Sequence, residues 1–169
     1  MGLFSSLFGP SKADKELILQ AMKAAGEGEK LALIKSAMST IDVYPKSEHD
    51  IVFVGESCGG LVRAIAGDDP SEEAAITKGM FAAVAANYFS YLVGTSFEHS
   101  GQIALLSALG IGNERLHSEI IDLYNKTTTE RPQLVNAIGQ TIERWTKAPT
   151  AENLENLKKL YGIFRDGLQ

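Results

Sequence analysis

Cysteine is almost absent: Cys58 is the only one in 169 residues. A single thiol closes no intrachain disulfide and builds no multi-cysteine zinc site. A reducing, cytoplasmic setting fits such a chain best. Clustered positive charge is missing too. The 16 Lys and Arg are scattered among 21 acids, for a net charge of −5. Nucleic acid calls for a concentrated basic face and is not an expected partner. A basic protein is, because complementary charge speeds encounter. No charged leader followed by an apolar run opens the chain, so no secretory signal is expected. The longest uncharged stretch, 79–97, is diluted by Gly79, Asn87, Ser90, Gly94, Thr95 and Ser96. It reads as a soluble core helix and not as a membrane span.

The chemistry of cofactors is equally thin. Gly55, Gly59 and Gly60 lack the lysine of a phosphate-binding P-loop. Glu114 and His117 form a single Glu-x-x-His, a motif that di-iron bundles use twice. His49 and His99 have no ligand-type residue three or four positions on that shares a helical face. No cofactor and no metal site are expected.

What is present is helical punctuation. With 44% apolar and 22% charged residues, the composition is that of a globular chain of ordinary domain size. The stretch 71–93 organises it. Asp69 offers a cap, Pro70 suits a first helical position and Glu72 can reach back as in a capping box. From Met80 onward, Phe81, Val84, Tyr88, Phe89, Tyr91 and Leu92 run most of the way round the helix, the mark of a buried one. Gly94 is a natural stop.

Around it the pattern predicts helices over 11–25 and 28–41, the second halted before Pro45. Their short connection predicts an antiparallel hairpin. Further helices are expected over 98–109, with Ile103, Leu105, Leu106 and Leu109 as its apolar residues, and from an Asn113 cap with Leu116, Ile120, Leu123 and Tyr124 inward. Thr127 to Glu130 reads as an exposed loop. Pro132 opens a helix striped by Leu134, Val135, Ile138, Ile142 and Trp145. Thr150 caps the last one, which buries Leu154, Leu157, Tyr161 and Phe164 with Leu160 alongside.

The N-terminal MGLFSSLFG places Leu3, Phe4, Leu7 and Phe8 at helical spacing, an apolar stripe without a polybasic run behind it. Gly2 and Ser6 match the myristoylation pattern M-G-x-x-x-[ST]. The segment is read as a tail that packs on the body or on a neighbouring subunit, with a membrane surface as the alternative contact.

The run Ile51 to Ala66, IVFVGESCGGLVRAIA, admits two readings. Gly55-Glu56-Ser57-Cys58-Gly59 matches G-x-S-x-G and locally resembles the nucleophile elbow of α/β-hydrolase lipases and esterases. That resemblance implies Ser57 as nucleophile, with Asp68, Asp69 or Asp122 and His99 or His117 completing a triad. It covers fewer than about twenty residues and comes without the upstream oxyanion loop or a parallel sheet. The other reading is a helix. Ser47 and Asp50 give a start signal, Gly67 a stop, and Ile51, Val54, Cys58, Leu61, Val62 and Ile65 keep helical spacing. Three glycines then cost about 1 kcal/mol each against alanine, recoverable by close packing. Phe81, Tyr88 and Phe89 are the expected partners.

The architecture expected is all-α: about eight helices around a buried central helix, 71–93, in one domain, 11–169, behind an apolar tail, 1–10. The function expected is a non-catalytic, cytoplasmic protein-interaction module. An adaptor, a regulatory subunit or a toxin-neutralising immunity protein suits a small acidic helical domain. A peripheral membrane protein held by Leu3, Phe4, Leu7 and Phe8 is the second reading, and a serine hydrolase using Ser57 the third.

Overall fold

The computed structural model describes residues 28–67, 69–110 and 113–168. The tail with Leu3, Phe4, Leu7 and Phe8, the helix expected over 11–25 and its hairpin lie outside the described residues. Among the described residues there are seven helices and no strand. They are α1 (28–39), α2 (Asp50–Ala66), α3 (Glu72–Val93), α4 (Phe97–Leu109), α5 (Glu114–Glu130), α6 (Pro132–Lys147) and α7 (Ala151–Leu168).

α1 stops before Pro45 has any say. Asp42 takes a left-handed conformation, φ 57°, and the Val43 amide returns to the Met38 carbonyl at 3.1 Å. This is the Schellman closure, in which a short acidic side chain tolerates what glycine usually supplies. Ile34, Ala37 and Met38 are buried on the inner face.

Residues 50–66 form one continuous helix, so the strand and tight turn of an elbow are absent there. His49, not Ser47, occupies the N-cap; the Ser47 hydroxyl instead accepts the His49 amide at 3.1 Å. The glycines of α2 do not face Phe81, Tyr88 and Phe89. A Cβ on Gly55 would overlap Ile103 and meet the Ala104 amide at 3.1 Å, and one on Gly59 would overlap Ser107. Gly60 faces Val43. The close neighbour is therefore α4. Its buried side is Ser100, Gly101, Ala104, Leu105 and Ala108, whereas Leu106 is 40% exposed and Ile103 and Leu109 are half-buried. Backbones this close need glycine on the α2 side, where Ile103, Ala104 and Ser107 of α4 fill the space a side chain would take.

α3 begins two residues later than the Asp69–Pro70 signal implied. Ser71 is the cap, accepting the Ala74 amide at 3.1 Å, while the Asp69 carboxylate accepts the Ser71 amide at 2.9 Å. That bond holds the Asp69 carboxyl below its ordinary range. Gly94 ends α3 in the left-handed region, φ 81°, with its own amide and that of Thr95 on the Ser90 carbonyl. α3 packs against α2, α4, α5, α6 and α7. Phe81 meets Tyr161 and Phe164 of α7 edge-on at 5.1 and 5.6 Å between ring centres. Apolar character does not mean burial all round, however: Tyr91 is 85% exposed.

Thr127 to Glu130 are helical, not a loop. Thr128 and Thr129 donate to the Tyr124 and Asn125 carbonyls at 2.8 and 3.0 Å, which satisfies their hydroxyls inside the helix. α5 runs until Arg131, whose place before Pro132 excludes further helix. Val135, Ile138, Ile142 and Trp145 of α6 and Leu157, Tyr161 and Phe164 of α7 are buried, with Leu134, Leu154 and Leu160 half-buried.

Candidate interaction site

Ser57 is fully buried, and its hydroxyl donates to the Phe53 carbonyl at 2.7 Å, four residues back in its own helix. Asp69 and Asp122 are exposed. His99 is exposed and its Nδ1 lies 3.1 Å from the Ser96 hydroxyl, while His117 is half-buried with Nε2 unpartnered. Asp68 lies outside the described residues. The structure brings none of the described triad candidates into hydrogen-bond contact with Ser57. Cys58 is buried beside it, and burial pushes its thiol well above the ordinary range, which suppresses the reactive thiolate. Among the described residues no group of three or more His, Cys, Asp and Glu is placed to hold a metal ion. No described helix is long and apolar enough to cross a membrane.

One surface feature lies where α4 meets α3 and α5. Phe97, Gly101 and Leu105 of α4, Ala83 of α3 and Ile121 and Tyr124 of α5 line an open groove of about 280 Å³. Ile121 is 39% exposed at its mouth, and Glu98 is the one charged residue in the lining. The cause is local. Gly101 lets the Phe97 ring lie back over α4: a Cβ there would sit 3.2 Å from the ring. Phe97 and Tyr124 face each other with ring centres 5.5 Å apart. Burial pushes the Tyr124 phenol up, and hydrogen bonding to Thr128 and Asn87 draws it part of the way back.

A second groove, of about 320 Å³, runs between α3 and α6. Asn87, Tyr88 and Tyr91 line one side and Asn136, Gly139 and Gln140 the other. Ala83, Asn87 and Tyr91 fall at i, i+4 and i+8 on α3, Ala83 lining the first groove and Asn87 and Tyr91 the second. Burial, assisted by the Glu143 charge, raises the Tyr88 phenol to about 12. Its hydroxyl is buried and finds no partner within the protein.

Sequence reasoning passed over Phe97, Ile121 and Tyr91 as surface groups. The signal for Ile121 was there, since it falls beside and not on the stripe of Leu116, Ile120 and Tyr124. Asn87 likewise interrupts the apolar run of α3 four residues before Tyr91. Compared with known protein families, with curated proteins and with solved structures, the chain matches none.

Proposed function

We propose that this chain is a non-catalytic protein-interaction module, working as an adaptor, a regulatory subunit or a toxin-neutralising immunity protein in the cytoplasm. α3 serves as its central scaffold within a single domain. The partner is another protein, and it docks an apolar segment carrying positive charge into the α3–α4–α5 groove. The observation that carries this reading is the groove itself: an apolar cleft with Ile121 at its open edge and Glu98 as its one charge. Large apolar groups left in a concave, uncovered site are what interface anchors fill. The acid and the net charge of −5 favour a basic flank on the partner.

A photo-crosslinking residue placed at position 121 in the native cell tests it, with position 163 as comparison, because Ile163 is also exposed, at 67%. The expected result is one protein adduct of defined mass at 121 that is absent at 163. The purified pair should then bind in solution, and Ile121→Glu should weaken that binding by about thirtyfold or more, the loss of one anchor. Equal, heterogeneous adducts at both positions would overturn the proposal.

A further inference from the structure

The same groove has a candidate occupant within the chain. We infer that the N-terminal segment 1–9 docks into the α3–α4–α5 groove and competes there with the partner, an inference that rests on the groove being the docking site. Four large apolar side chains, Leu3, Phe4, Leu7 and Phe8, fall within these nine residues. A dry cavity of ~150 Å³ accepts one benzene, so a groove of about 280 Å³ takes roughly two ring-sized side chains. Phe4 and Phe8 are four apart, a spacing that would place two such rings on one face of a helix formed on docking.

The charges agree. The first acid of the chain is Asp14, and Lys12 stands closer to the segment than any carboxylate. The groove offers Glu98, flanked by no cation in its lining. Positive charge beside the apolar anchors therefore meets negative charge beside the apolar cleft. Reach is sufficient. Residues 10–27 separate the segment from α1, and even as helix they would extend ~27 Å, about the diameter of a small domain. Tethering supplies an effective concentration on the order of 1 mM, so a segment that binds only at ~0.1 mM when free would fill the groove about nine-tenths of the time. A groove so occupied weakens an external partner about tenfold.

The test uses the full chain with Ser6→Cys paired with Gln102→Cys at the groove wall. Ser6→Cys paired with Lys159→Cys on α7 is the comparison. Cys58 is buried and does not compete for oxidation. Mild oxidation should give an intramolecular disulfide at Gln102→Cys at least about tenfold faster than at Lys159→Cys, read as a monomer-mass species. Adding Phe8→Asp should erase the difference while leaving the far-ultraviolet dichroism unchanged. Equal rates at the two positions would overturn the inference, as would disulfide dimers, which place the segment on a second copy. So would release of the segment to vesicles of phosphatidylcholine and phosphatidylserine, seen as flotation with loss of the crosslink, because a bilayer would then be its ligand.

Deleting residues 1–9 separates this inference from the partner reading. Adducts at position 121 that persist equally with and without the segment, and no crosslink at Gln102→Cys, sink the inference alone. A crosslink without any partner adduct in the deleted chain sinks the partner reading alone.

Discussion

α4 carries two contrasting faces. Toward α2 it meets glycine: Gly55 and Gly59 lie so close to Ile103, Ala104 and Ser107 that no Cβ fits between. Arg63 then reaches across the seam to the Ser107 carbonyl. Toward α5 the same helix meets rings. Phe97 and Tyr124 hold the elements apart and leave a cleft of about 280 Å³. One helix thus makes a tight joint at Gly55 and Gly59 on one side and borders an open groove on the other. The difference comes from side-chain size at facing positions, since both faces are largely apolar. Small groups let backbones touch and exhaust the space, whereas large rigid groups prop helices open wherever their shapes do not interlock.

The sealed face should fail most severely when filled. Gly59→Leu puts a branched side chain against Ser107, including its carbonyl carbon at 3.0 Å from the added Cβ. A loss of about 3 kcal/mol is expected, the upper end of overpacking costs. Urea unfolding measures it, and a loss under about 0.5 kcal/mol would mean the seam is not sealed. Gly60→Leu meets Val43 on a connecting segment that can give way, and should cost less.

The open face should respond in the opposite sense. Ile121→Glu lies at a solvent-exposed edge and should leave stability within about 0.5 kcal/mol while disabling partner binding. A cooperative loss of fold would show that the groove is structural and not a docking surface.

Tyr88 sharpens the comparison in the second groove. Its phenol is raised to about 12 in the folded protein against about 10 unfolded. The folded state holds this proton more tightly, so the associated stability is intact below pH ~10 and is lost as pH rises toward ~12. The hydroxyl is buried but the residue as a whole is only half-buried, so nearby solvent screens the effect, and the loss should stay under about 1 kcal/mol. Tyr88→Phe should flatten the fall of melting temperature in that window. It should be near-neutral at pH 7, because the hydroxyl it removes has no partner. An unchanged slope would place the titration elsewhere.

The smallest effect is expected at Ser57→Ala, within about 1 kcal/mol, because the Phe53 carbonyl retains its helical bonding when the hydroxyl leaves. Turnover of p-nitrophenyl esters should be identical in parent and variant. Activity in the parent that vanished in the variant would overturn the non-catalytic reading.

The candidate site was only partly legible. Leu105 and Tyr124 were visible as apolar positions on their helices, but their lining of a shared cleft was not. Tyr91 was counted among the residues that close α3 on all sides, yet it faces solvent. Periodicity reports that a residue is apolar and on which side of its helix it stands. It carries no information on whether a neighbouring helix covers that side.

Much of the helical framework followed from residues acting on their own backbone. Asn113 caps α5 through the Leu116 amide, Thr150 accepts the Asn153 amide, Pro132 separates α5 from α6, and Gly94 turns left-handed. Such signals operate within about one turn of chain, so the sequence alone determines them. Tertiary structure decided which partner the glycines of α2 would meet, whether the threonines at 127–129 would stay helical, and which of the apolar side chains of α3 and α5 would be left uncovered. Each depends on the distance between helices far apart in sequence. That distance is set jointly by all the side chains packed between them, and no local pattern contains it.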